Sequence, residues 1–120
     1  MHPEARRGID LYNQGKFFEA HEVLEAAWMK TGEPERDLYQ GILQIGLAYY
    51  QISRGSYRGA IKMFIRGQRT LKPLGKALLG VDLVRLREQA RIVENSLRDL
   101  GPDRLEELDP GLIKPVPWIE

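Results

Sequence analysis

One pattern is written twice in this chain. Gly15-x-Phe17-x-x-Ala20-x-x-x-Leu24-x-x-Ala27 returns forty residues later as Gly55-x-Tyr57-x-x-Ala60-x-x-x-Phe64-x-x-Gly67. A sequence that repeats one helical start commits the chain to two copies of one unit, neither of which can bury its apolar face alone. In each copy a glycine ends one helix and an aromatic opens the next. Small residues then fall where the two helices of a pair are closest.

Hydrophobic spacing supplies the elements around the two copies. Ala5, Ile9 and Tyr12 predict a helix over 4–13, and a second runs over 17–30 and stops at Thr31-Gly32-Glu33-Pro34. The third, over 35–53, is apolar around most of its circumference and is therefore expected to be central. In the fourth, over 57–71, Tyr57, Ala60, Ile61, Phe64, Ile65 and Leu71 form the side expected to bury. Residues 74–81 read as a loop or short turn, and Asp82 as the N-cap of a last helix with Leu83, Leu86, Ala90, Val93, Leu97 and Leu100 in step. No segment alternates with the period of a strand. The layout resembles tetratricopeptide repeats, which also place Gly8 in the first copy, Leu47 and Ala48 in the second, and a proline after each pair, here Pro34 and Pro73. The forty-residue period is longer than the ~34 of that repeat, and two pairs are fewer than the roughly three a solenoid needs. The expected fold is all-α: a bundle of about five helices, built from two tetratricopeptide-like hairpins plus a closing helix, with an extended C-terminal tail. Residues 1–101 form the helical domain. The proline-rich tail, 102–120, packs on it or extends from it, with Leu112, Ile113, Trp118 and Ile119 available to dock.

The 120 residues hold no cysteine, which excludes a disulfide scaffold, a thiolate metal site and a thiol nucleophile, and makes a reducing, cytoplasmic setting the default. No apolar run approaches the ~20 residues of a membrane span, so no membrane partner is expected. Formal charge is +1, but it is segregated: residues 1–53 carry 5 basic and 8 acidic side chains, 54–98 carry 11 and 3, and 99–120 carry 2 and 6. Arg54, Arg58, Lys62 and Arg66 recur every fourth residue and Arg69 joins them, a stripe that nucleic acid or an acidic partner could use. The preferred reading is a solvated face that pairs with Glu19, Glu22, Glu33 and Glu35 of the same chain, because no aromatic interleaves with the basic residues.

The sharpest anomaly lies in the second helix. At about 100° per residue, Phe17, His21, Leu24 and Trp28 share one sector, with Glu25 beside His21, so a histidine and a carboxylate sit on or near the face that must bury. Burial of such groups is costly unless they pair, and a spacing of four lets His21 and Glu25 meet. On the third helix Gln40, Gln44 and Gln51 form a polar stripe that would complete a buried network if it faced the second helix. Three roles follow: a network that fixes helix register, a small-molecule or peptide pocket beside Trp28, Tyr49 and Tyr50, or metal-assisted hydrolysis. For the last, His21-Glu22-x-x-Glu25 is similar to the zincin helix, but Glu25 stands where the second histidine would be, and Glu22 points about 100° away from His21. No nucleophile elbow, P-loop or dinucleotide fingerprint is present.

Phe17-Phe18-Glu19-Ala20-His21-Glu22-Val23-Leu24-Glu25-Ala26-Ala27-Trp28, then Gln40-Gly41-Ile42-Leu43-Gln44, Gly59-Ala60 and Gly80-Val81-Asp82, resemble the domain of unknown function 309 family over roughly residues 4–100. The resemblance implies an all-helical fold and brings no established activity. Its motif falls on His21, Glu25, Trp28, Gln40, Gly41 and Gln44, the group that the helical faces also single out. The expectation is a non-catalytic binding or scaffolding module with a buried His/Glu/Gln cluster, His21, Glu25, Trp28, Gln40 and Gln44 being the ligand-binding candidates. The alternative is an acid/base or metal-dependent hydrolase using His21 and Glu25, with His21, Glu22 and Glu25 as metal candidates. Nucleic acid or an acidic partner on the Arg54–Arg69 stripe ranks third. No cofactor is expected, and the partner would be a protein or peptide, with a homo-oligomer allowed.

Overall fold

A computed structural model describes residues 1–120. Five α-helices carry the fold: α1 (Pro3–Asn13), α2 (Phe17–Met29), α3 (Glu35–Ser53), α4 (Tyr57–Leu71) and α5 (Leu83–Leu100). None is long and apolar enough to cross a membrane. α1 packs on α2, α2 on α3 and α3 on α4, so α3 lies in the middle of the stack. Its mixed apolar surface follows from that position, with Leu38, Ile42, Ile45 and Ala48 fully buried.

The two copies of the sequence pattern make the same backbone turn. Gly15 and Gly55 have φ of +79° and +75°. Gly15 N–H donates to Tyr12 C=O and Lys16 N–H to Leu11 C=O, as Gly55 does to Ile52 and Ser56 to Gln51. These crossed bonds satisfy the last carbonyls of α1 and α3 in a left-handed cap that glycine adopts without a Cβ penalty. The next helix then starts at once in both copies, α4 with Ser56 Oγ accepting from Gly59 N–H at 3.2 Å.

Small residues set the spacing of the pairs. A Cβ on Gly8 would come within 2.6 Å of Leu24 Cγ, and one on Gly67 within 2.5 Å of Ile45 Cδ1. Where the second hairpin pairs Ile45 with Gly67, the positions forty residues earlier hold Ala5 and Ala27, both fully buried. One hairpin thus uses large-plus-none where the other uses small-plus-small. At the centre Tyr12, Phe17, Tyr49 and Phe64 meet edge-to-face or tilted, with centroids 5.3–6.0 Å apart.

Residues 74–81, read from sequence as a loop, contain a minimal hairpin. Strands β1 (Ala77–Leu78) and β2 (Val81–Asp82) are antiparallel, and Leu79 and Gly80 turn between them with φ of +50° and +84°. Two residues with positive φ are what a tight hairpin turn requires. Strands this short carry too little pattern to read from sequence. Asp82 then caps α5 as expected, its Oδ1 accepting from Arg85 N–H.

The tail differs from the expected extended segment. Residues Pro102–Glu107 and Pro110–Leu112 form 3-10 turns, and Leu105 and Leu108 are buried. Only then does it extend. Val116 N–H donates to Asn13 Oδ1, Asp82 N–H to Pro117 C=O, and Ile119 N–H to Gly80 C=O. Trp118 lies opposite Val81 under the Arg6 guanidinium, which sits 4.6 Å from the ring centroid. Ile119, expected to dock, is exposed and Val116 takes that role, because strand alternation turns 116 inward and backbone bonds already hold 119.

Two outcomes follow from this packing. Ile45→Ala opens a cavity and costs about 2–4 kcal/mol in urea unfolding, but adding Gly67→Ala, which rebuilds the first hairpin's pair, recovers part of that loss. Burial also pushes both core phenols up, Tyr12 well above its usual range and Tyr49 from 10.0 to about 12. Their neutral forms are favoured by folding, so this stability is intact below pH 10 and is lost as pH rises towards 12. Unfolding midpoints measured across that window fall less steeply in Tyr49→Phe.

Candidate functional site

The Phe17–Trp28 motif forms the body of α2, and its polar pair closes: His21 Nε2 and Glu25 Oε2 are 3.0 Å apart. The pair is not buried, with side chains 23 % and 47 % exposed. No polar or charged residue of the chain is buried. The expected buried His/Glu/Gln cluster is therefore corrected to a pair at the rim, next to Phe18, whose ring lies 5.8 Å from His21 and 5.3 Å from Tyr50.

The glutamines turn the other way. Gln44 Oε1 accepts from Thr70 Oγ1 of α4 at 2.7 Å, and Gln51 lies over Gly59 at the start of α4. The α3 polar stripe thus serves the α3–α4 seam and does not join His21 and Glu25. A helix with neighbours on both sides has two seams, and the helical wheel cannot tell which one a polar stripe faces. Gln40 is half-buried without a side-chain hydrogen bond. Trp28 packs partly buried against the core and lines none of the three surface hollows. Two nitrogens in this region, His21 Nδ1 and Trp28 Nε1, are buried without a partner.

As metal ligands, His21, Glu22 and Glu25 do not converge. Glu22 is exposed, and no three His, Asp or Glu side chains come together anywhere in the chain. Chemically, the pair on its own can hold one proton between an imidazole and a carboxylate.

The other candidate is α4. Gly59, Gly67, Thr70 and Leu71 meet Gln51, Ile45, Gln44 and Gly41 of α3, which places α3 on one side of the helix. Gln68 Nε2 donates to Glu94 Oε1 of α5 at 2.6 Å, which places α5 on a second. The remaining side is open. It carries a shallow trough of about 380 Å³ lined by Tyr57, Ile61 and Ile65 and by Arg58, Lys62, Arg66 and Arg69.

Two expectations are corrected here. Ile65, assigned to the burying side, is 40 % exposed, and it runs beside the basic residues with Tyr57 and Ile61. The preferred internal pairing does not form either: none of Arg54, Arg58, Lys62, Arg66 and Arg69 makes an ion pair, and Glu33 pairs with Arg36 instead. Of the eleven cations in 54–98 only Arg98 is paired, to Glu94. Arg54 leans on the Tyr50 ring, 5.7 Å from its centroid. Sequence carried one signal for the trough: Ile61 and Ile65 repeat, forty residues on, the positions of His21 and Glu25, polar residues that lie at an exposed rim.

Fold and surface together define a small all-α protein of two stacked helical hairpins and a closing helix, with a histidine–glutamate pair at one seam and an uncovered basic edge. Residues 5–63 match the model of the family described as Domain of unknown function (DUF309), a span that covers α1 to α3 and the first half of α4. The match contains the His21, Glu25, Trp28, Gln40 and Gln44 motif and ends before Gly80-Val81-Asp82. The family is uncharacterised. No curated protein matches the chain.

A partly exposed pair contributes little to stability. Glu25→Gln is expected to lower the unfolding free energy by less than about 1 kcal/mol, read from urea titration, a size set by exposed pairs in general.

Proposed function

We propose that this protein is a non-catalytic binding module whose contact surface is the free edge of α4. One observation carries the reading: three apolar side chains lie exposed or half-exposed in a row there, among four cations with no carboxylate partner. Exposed apolar rows within charged rims are what contact surfaces offer. In this reading the His21–Glu25 pair ties one turn of α2 to the next, and Gln44 holds α3 against α4 through Thr70, so the motif residues shape the stack that presents the edge. A second reading, proton transfer by His21 assisted by Glu25, draws support from the 3.0 Å contact and the partial exposure of both groups.

The readings separate when a photo-crosslinking amino acid is placed in living cells at Ile65 and, as a control, at Ile92, which is similarly exposed on α5. Protein adducts from position 65 and none from 92 are expected, unchanged by His21→Ala. Equal yields at the two positions, or adducts that vanish with His21→Ala while the fold persists, would overturn the α4 reading.

A further inference from the structure

We propose that the free edge of α4 receives an acidic amphipathic α-helix from another protein. This rests on the binding reading above and adds the chemistry of the partner.

The repeat supplies the shape. Forty residues before Tyr57, Ile61 and Ile65 stand Phe17, His21 and Glu25, and the start of that row is covered by a helix, since Phe17 reaches Gly46 and the Tyr49 ring of α3, while His21 and Glu25 lie at the rim of the same seam. On α4 no helix closes the row: Tyr57 and Ile61 rest partly on the core and Ile65 is exposed. What packs on such a face in this very fold is an α-helix crossing at close range. Tyr57, Ile61 and Ile65 step by four, so the apolar row is about 12 Å long, enough for roughly two to three turns of a partner with apolar residues at the same spacing.

Charge supplies the sign. Arg58, Lys62, Arg66 and Arg69 border the row, and no carboxylate of the chain pairs with them. Flanking glutamates or aspartates on the incoming helix would complete those pairs at the rim, where they steer association and fix orientation. Two of the surfaces that a second copy could offer are poor occupants. An α4–α4 contact would set two rows of four cations against each other, and the outer side of α1 carries Arg6 and Arg7 with Glu4 and Asp10, with no acidic excess. Nucleic acid is disfavoured for a different reason: two of the three apolar groups are isoleucines, which give no stacking platform for bases.

The test uses the full chain and a fluorescent synthetic peptide of four helical turns, with leucines at i, i+4 and i+8 and glutamates on both flanks. Binding read by anisotropy is expected, with a gain of peptide helicity by circular dichroism and a loss of affinity as salt screens the rim. Ile65→Asp and the pair Arg58→Glu/Arg66→Glu, exposed positions whose far-ultraviolet spectra and melting serve as fold controls, should each weaken it at least about tenfold. Three results would overturn the proposal: a scrambled peptide of equal charge binding as well, a lysine-flanked version binding as well, or a single-stranded oligonucleotide or anionic vesicle binding at α4 while the acidic helix does not. Adducts at position 65 without peptide binding would remove the acidic helix and leave the binding edge. No adducts above control and no peptide binding would remove both.

Discussion

Close approach of neighbouring helix backbones is the constraint on which the rest of this structure depends. At Gly8, Gly41 and Gly67 the facing side chain, from Leu24, Leu71 or Ile45, occupies the space where a Cβ would stand. Glycine inside a helix costs roughly 1 kcal/mol against alanine, and here that cost is offset by apolar side chains seated directly on backbone, at packing densities an added methyl would break. The tight seams carry the register of the whole stack. They decide that α3 presents one face to α2 and another to α4, that Gln44 meets Thr70, and that α4 keeps a third side uncovered.

Electrostatics is then a consequence of stacking order. Helices in the first half carry the acidic excess and the later ones the basic excess, yet the stack does not bring the two onto each other. Lys30 reaches Glu4 and Arg36 reaches Glu33, pairings within the first half, and Arg98 pairs with Glu94 along α5. The cations of α4 stay unneutralised because the carboxylates nearest in sequence belong to other seams. A formal charge of +1 therefore describes a molecule with a strong local field at one edge.

How much of this was legible in the sequence depended on whether the information was local. Helix boundaries were, since Gly15, Gly55, Asp82 and Gly101 each mark a stop or start by backbone geometry that the residue type itself favours. The contact between His21 and Glu25 was legible too, being one helical turn long. What the wheel could not supply was the identity of the neighbour on each face. Gln40, Gln44 and Gln51 form one stripe on the wheel, but whether it meets α2 or α4 is a property of the stack. Ile65 stands next to Phe64 in the chain and both are apolar, and only the placement of α3 and α5 makes one fully buried and leaves the other 40 % exposed. The β1–β2 turn and the 3-10 turns of the tail escaped because each is stabilised by contacts with distant segments.

The clasp at the end of the chain has a kinetic meaning. Each hairpin closes between residues near in sequence, whereas the bond from Val116 to Asn13 spans 103 positions, and loops of that length close late because their entropy is lost before contacts compensate. The tail has a seat only once α1, β2 and α5 are in place. Because Leu105, Leu108 and Val116 enter the same core as the helices, this late-arriving clasp completes the core that the seams begin.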